Sequence, residues 1–336
     1  MDVVCLVRSV DPTEAPQRVL RALAATGIDY SAFRGRITIL PADIAARNCG
    51  LSDCAFAALA RTASRVYHCA ASVNLLLPYV AIRRANAGGT AELLRLAMSG
   101  RQTSFHLVSS LVVLNGVTAA GSNGPFVLPA HLRAKRGYAK SKAVAERLAV
   151  RASSRGLSVS IYRPGLITGH NATGFSNLKD RLSLVLMACM KLRVAPAVFD
   201  DIYLTPVDAV SRAILQMSTD ESAYGRAHHL VGDGRVSWTT VLETLQADGY
   251  IENVVPYFEW LHQLSQCAVR TRSGGLAALA AILRPERSDA TGGRLSELLQ
   301  QGALNLGGTV LSPAEPVGYL KRIFRFLAVH AEAISC

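Results

Sequence analysis

The chain has 336 residues, half of them hydrophobic, enough for one large α/β domain with a smaller lobe. Its longest apolar runs, such as residues 184–190, are too short to span a bilayer, and residues 1–8 lack the charged start and apolar stretch of a signal peptide. Lys and Arg outnumber Asp and Glu 36 to 24, a net charge of +12 spread along the chain without an aromatic-basic motif, which points to an acidic partner or phosphorylated ligand and away from nucleic acid.

In chain order, residues 3–7 form an apolar β-rich run ending at Arg8-Ser9. Residues 12–25 read as a helix closed by Gly27. Residues 37–40 are a short strand leading into Pro41-Ala42-Asp43-Ile44, where Asp43 is either a turn or N-cap residue or an acceptor at the sheet edge. Residues 51–60 continue as helix. Residues 65–74 read as a strand running into Cys69-Ala70-Ala71, small side chains that let a ligand approach the backbone closely. His68 has no partner at metal-ligand spacing and reads as a packed side chain. Residues 83–98 are helical, and Gly88-Gly89 inside them suggests close helix-to-sheet packing.

Residues 104–113 are an apolar strand carrying Ser109 and Ser110 toward its C-terminal end, the end where open α/β sheets bind ligands. In the helix of residues 137–148, Tyr138 and Lys142 are four apart and share one face. A nearby ammonium favours a phenolate, which would let Tyr138 exchange a proton with a substrate oxygen near neutral pH. From this pair alone, a Tyr at the core edge beside a solvated Lys is an equally good reading. Residues 157–165 form a strand closed by Arg163-Pro164-Gly165.

Beyond Gly165 the alternation weakens. Residues 169–180 read as a loop over the substrate and residues 182–192 as an apolar helix. Asp208 is expected to be an N-cap, residues 229–231 a late strand, and residues 238–245 and 257–264 helices. Residues 271–293 are rich in Arg, Gly and Ala and suggest no site. The seven cysteines (5, 49, 54, 69, 189, 267 and 336) lack zinc or redox spacing, so reduced thiols in a cytoplasmic protein and no metal site are expected.

A strand with Ser, a helix with Tyr-x-x-x-Lys and a strand ending Arg-Pro-Gly form the pattern of extended short-chain dehydrogenases/reductases. Within that group the sequence resembles the thioester reductase domains of non-ribosomal peptide and polyketide assembly lines, relatives of carboxylic acid reductases. The resemblance rests on Tyr67-His68-Cys69-Ala70-Ala71-Ser72-Val73-Asn74, on Asn86-Ala87-Gly88-Gly89-Thr90 and on Leu204-Thr205-Pro206-Val207-Asp208. Val236-Ser237-Trp238 and Pro256-Tyr257-Phe258-Glu259-Trp260-Leu261 also carry it.

It implies a Rossmann-like α/β fold over residues 1–165 and a smaller, mostly helical lobe for substrate and carrier protein over 166–336, with 198–231 returning to the first domain. It implies NADPH-dependent reduction of a thioester on a phosphopantetheine carrier protein to an aldehyde, or on to an alcohol. Ser110 replaces the family's usual Thr at the carbonyl oxygen, Tyr138 donates the proton and Lys142 holds the nicotinamide ribose. Arg8, at the end of the second strand of such a fold, suits the 2′-phosphate of NADP. Asp43 would reach the adenine amino group, Ile44, Cys69, Ala70 and Ala71 line the cofactor, and Pro164 lies on the nicotinamide side. Cys69 stands where Asn or Gly is more usual.

The family opens with a strand and a Gly-x-x-Gly-x-x-Gly turn ahead of the strand at Val3, and this sequence does not contain them. A further stretch of about 30 residues, one βα unit, would supply both. Without them, two strands that flank the central position are expected either to lie unpaired or to be forced together, and NADPH to bind poorly. Two alternatives stay open: a non-catalytic carrier-binding remnant, and an extended reductase acting on a sugar nucleotide or an alcohol.

Overall fold

The structure is a computed structural model that describes every residue except 1, 10, 12, 75, 101–102, 115–123, 126–136, 199, 233–234, 285–308 and 332–336. The chain divides into two compact units, Met1–Arg163 with Met217–His228, and Pro164–Gln216 with His229–Cys336. The segment that returns to the first unit is therefore narrower than the expected 198–231.

In the first unit, β1 (Val3–Val7) leads through α1 (Glu14–Ala25) to β2 (Ile37–Pro41). The two strands pair in parallel, Val3 opposite Ile37 and Val7 opposite Pro41. Gly27, at φ +73°, takes the left-handed conformation that ends the helix region. Ser52 caps α2 (Asp53–Thr62) by accepting from the Ala55 N–H at 3.2 Å. Next come β3 (Arg65–His68), α3 (Tyr79–Arg83), a single π-turn (Arg84–Gly88), α4 (Gly89–Met98) and β4 (Ser104–Val108). The two-residue β5 (Gly124–Pro125), α5 (Gly137–Ser153) and β6 (Ser158–Pro164) complete this stretch.

β3, β4 and β6 form a parallel ladder in register, Arg65 opposite Ser104 and Ser104 opposite Ser158. The expected strand 65–74 stops at His68 because Ser72 is held elsewhere: its N–H and C=O bond to the Asn86 side chain at 2.7 and 3.0 Å. The expected strand 104–113 stops at Val108, after which Leu111–Leu114 turns as a short 3₁₀ segment. Gly89 packs against a side chain rather than the sheet: a Cβ there would sit 2.7 Å from Ile44 Cδ1.

Among the described residues β1 bonds only to β2, and β3 has no partner besides β4. In the strand order 3-2-1-4-5-6 of a dinucleotide-binding sheet, the pair β2-β1 occupies places 3-2 and β3-β4-β6 occupies 4-5-6. Of the two expected outcomes, the chain takes the one in which the flanking strands stay apart. Burial reflects this: Val3 and Val4 are 38% and 44% exposed, whereas β6 is buried at every residue after Ser158. The core of this unit gathers Phe56, Leu93, Phe105, Leu107, Val159 and Ile161.

The second unit begins with β7 (Ile167–Thr168), α6 (Arg181–Leu192), β8 (Val194–Ala197), β9 (Asp201–Tyr203), β10 (Thr205–Pro206) and α7 (Val207–Met217). Asp208 lies in the first turn of α7 instead of capping it; its carboxylate accepts from the Asn171 N–H at 2.9 Å. β11 (Arg226–Val231) passes from the first unit into the second after His228, and its last residues, Leu230 and Val231, lie opposite Thr309 and Val310.

The rest is β12 (Arg235–Ser237), α8 (Trp238–Ala247), β13 (Asn253–Pro256), α9 (Tyr257–Arg270), α10 (Gly274–Leu283), β14 (Thr309–Val310) and α11 (Pro316–Ala331). The helix α10 occupies part of 271–293; residues 285–293 lie outside the described residues, as does Cys336. Trp238 and Trp260 are fully buried and donate from Nε1 to the carbonyls of Pro196 and Val194, so the two family stretches containing them anchor helices α8 and α9 onto β8.

Among the described residues no helix is long and apolar enough to cross a membrane, and no His, Cys, Asp or Glu cluster could hold a metal ion. The six described cysteines are free thiols.

Candidate active site

Lys142 is the best-defined group. It is 4% exposed, and its Nζ donates to the Val108 carbonyl at 2.8 Å, at the C-terminal end of β4. Burial pushes its pKa down to about 8, while Glu146 and, when ionised, Cys69 pull it upward. Tyr138 lies one turn earlier on α5 and is half-buried. Ser110 follows β4 by two residues; its half-buried Oγ accepts from the Val112 N–H at 3.3 Å. Neighbouring Ser109 is different: its N–H donates to the Tyr162 carbonyl at 2.7 Å, and its buried Oγ has no hydrogen-bond partner.

At the end of β3, Cys69 and Ala70 are exposed and Ala71 half-buried. His68 is 2% exposed, and burial holds it neutral, with a pKa of about 3. Thr90 Oγ1 donates to the Asn86 carbonyl at 2.6 Å and has no second proton, so its 2.9 Å contact with His68 Nε2 needs an imidazole N–H donor there. Nδ1 then carries the lone pair and is buried without a partner. This is the packed histidine expected from the sequence.

Arg8 is exposed just past β1, and its carbonyl accepts from Arg18. Asp43 is exposed past β2, where Oδ1 accepts from the Ala45 N–H at 2.9 Å in a local turn. The Ile44 side chain is taken up by packing on Gly89. Pro164 closes β6 and is the first residue of the second unit.

Two features escaped the sequence reading. Asn86 sits in the π-turn and bonds both to Ser72 and, through Nδ2 at 2.8 Å, to Ser141 Oγ, tying the β3 loop to α5 beside Lys142. Glu146 and Arg163 form a buried two-pronged ion pair. Glu146 could have been found from its i,i+4 spacing to Lys142.

These residues test whether a nicotinamide dinucleotide fits. Lys142, Tyr138 and Ser110 suit the nicotinamide and its ribose, and Arg8 and Asp43 suit the adenosine end. On the residues present, a nicotinamide dinucleotide would be held at its two ends.

A parallel sheet with Tyr-x-x-x-Lys on the helix beside its strand ends defines a nicotinamide-dependent oxidoreductase of the short-chain dehydrogenase/reductase class. The NAD-binding family model described as Male sterility protein matches residues 1–214. Isonitrile lipopeptide synthase of Streptomyces coeruleorubidus is 34% identical over 283 residues, 84% of this chain and 19% of that protein. Aldehyde reductase lnbA of Aspergillus flavus is 34% identical over 274 residues, 78% of this chain and 27% of that protein.

Among solved structures, the terminal R domain from the myxalamid PKS-NRPS pathway is 34% identical with a TM-score of 0.79, covering 97% of this chain and 84% of that one. A thiolation-reductase di-domain from an archaeal non-ribosomal peptide synthetase shares the fold at 19% identity and a TM-score of 0.70, covering 99% and 71%. The chain belongs to the male sterility NAD-binding family and, within it, to the terminal reductase domains of peptide and polyketide synthetases. It spans only about a fifth to a quarter of the curated relatives' length.

Proposed function

We propose that this chain reduces an acyl or peptidyl thioester, held on the phosphopantetheine arm of a carrier protein, to an aldehyde, with NADPH as reductant. The observation that carries this reading is the buried Lys142 amine fixed at the end of β4, two residues before Ser110 and one turn after Tyr138. The substrate class comes from the relatives, peptide and polyketide synthetases and a thiolation-reductase di-domain among them.

When bound, NADPH supplies a hydride to the thioester carbonyl carbon. Ser110 donates a hydrogen bond to the carbonyl oxygen and orients it. Tyr138 passes its phenolic proton to that oxygen as negative charge develops, and the Lys142 ammonium stabilises the phenolate left behind. Donors already in place for a developing oxyanion are worth roughly 3–4 kcal/mol each. The resulting hemithioacetal loses its C–S bond: the thiol leaves with a proton and the aldehyde is released. Lys142 also holds the ribose hydroxyls, Arg8 the 2′-phosphate and Asp43 the adenine amino group, while the backbone at Ile44, Cys69, Ala70 and Ala71 lines the cofactor.

The test is NADPH consumption with an acyl-carrier thioester, with the aldehyde identified by mass spectrometry. NADPH binding without consumption would sink the proposal. A second reading is a carrier-binding domain without turnover. It requires carrier binding with no NADPH binding at micromolar concentration. Turnover of a sugar nucleotide or free alcohol, and none of a thioester, would move the chain to another extended reductase.

A further inference from the structure

Behind Lys142, one turn along α5, lies a pair of charges that the proposed reduction does not use. Glu146 and Arg163 are 0% and 2% exposed. Arg163 donates from Nε to Glu146 Oε1 at 3.0 Å and from Nη2 to Oε2 at 2.7 Å. Two ions withdrawn from water in this way contribute little to stability compared with a well-packed apolar pair. A role in orienting or tuning a third group gives a reason for them.

The third group on the page is Lys142. On α5 it has Tyr138 one turn before it and Glu146 one turn after. From β3 it has Cys69, whose thiolate would raise its pKa, and His68, which burial keeps neutral. From β4 it has only the Val108 carbonyl. Among these groups Glu146 is the one carboxylate.

We infer that the Glu146–Arg163 pair is the positioning device for Lys142: the carboxylate keeps the amine protonated and aimed along the β4 end, and the guanidinium fork fixes the carboxylate's orientation. Arg163 grips both oxygens of Glu146, so the carboxylate cannot turn away without breaking two charge-assisted bonds. Lys142, Glu146 and Arg163 together carry one net positive charge, the sign that favours an oxyanion at the strand ends. The inference rests on the reading of Lys142 as part of a reducing site, and its test has a readout independent of turnover.

The readout is the titration midpoint of Lys142 Nζ, followed by NMR of the full chain with ¹⁵N-labelled lysine and assigned by loss of the signal in Lys142→Arg. Glu146→Gln is expected to lower the midpoint by about one pH unit or more, and Arg163→Met, which frees the carboxylate to act on Lys142 alone, to raise it. The alkaline limb of kcat/KM should move the same way. A merely structural role would lower Tm and leave the midpoint in place.

Where a single variant fails to fold, the double variant Glu146→Gln with Arg163→Met leaves no buried charge unpaired. A midpoint below wild type in the double supports the inference. A midpoint unchanged to within about 0.2 pH unit in folded Glu146→Gln or the double, where about one unit is expected, overturns it. If wild type shows the titration but never reduces a thioester, the functional reading falls while this test still decides the role of the pair.

Discussion

Lys142 Nζ and the carbonyl oxygen of Val108 are 2.8 Å apart, which binds the helix of the Tyr-x-x-x-Lys pair to the end of the strand that leads into Ser110. One of the amine's three protons is thereby used, and the others are directed by the anchor. Lys142→Met should lower kcat by about 10²- to 10⁴-fold, the usual range for a proton-transfer group. Lys142→Arg should not restore it, because a planar fork does not replace a point donor. Single-turnover kinetics with saturating NADPH would check both.

The two serines after β4 should behave differently. Ser110→Ala is expected to cost about 10²- to 10³-fold in kcat through loss of an oxyanion donor. Ser109→Ala removes a hydroxyl with no hydrogen-bond partner, so kcat should stay and Tm hold or rise slightly. Equal losses in both variants would place the carbonyl contact elsewhere.

Arg8→Ala should weaken NADPH binding by about 10- to 100-fold, the scale of a charge-assisted contact to phosphate, and leave NADH unchanged. The ratio of the two dissociation constants is the measurement.

Acid should destabilise the fold early. Burial holds His68 and His106 neutral, with pKa values of about 3 and about 4 against an ordinary 6.5. As pH falls below 6.5 the unfolded chain takes up protons that the folded chain refuses, so stability falls with pH over this window. At pH 4.5 the cost from His68 alone is about 3 kcal/mol, and Tm should drop by at least about 5 °C relative to pH 7. A flat Tm between pH 7 and 4.5 would contradict the burial of these rings.

Gly89→Ala should destabilise by about 1–3 kcal/mol, because the added methyl meets Ile44. Ile44→Ala in the same chain should recover part of the loss, a coupling that a double-mutant cycle would read.

The sequence made the first unit's order of strands and helices legible because apolar runs alternate cleanly with helical spacing up to Gly165. It also made legible that Tyr138 and Lys142 share a helix and that Ser110 follows a strand, since such spacing survives translation into local structure. What it hid were contacts between distant segments. Nothing local says that Asn86 replaces a ladder partner for Ser72, or that Arg163 reaches back to Glu146. Asp208 was misread because N-cap chemistry and acceptance from a distant Asn171 look alike in one dimension. The helix α10 was missed because Ala, Leu and Gly without charge give no face to read.

The ribbon of β1 and β2 and the ladder beginning at β3 each end in a row of peptide groups with no strand beside them among the described residues. Such a margin is a template that accepts any extended backbone of suitable hydrophobicity, another molecule's included. In these residues taken alone, repulsion from the surplus of twelve positive charges opposes such pairing, and salt screens it. Raising ionic strength should therefore increase association of these 336 residues taken alone, the reverse of what a charge-driven complex would do.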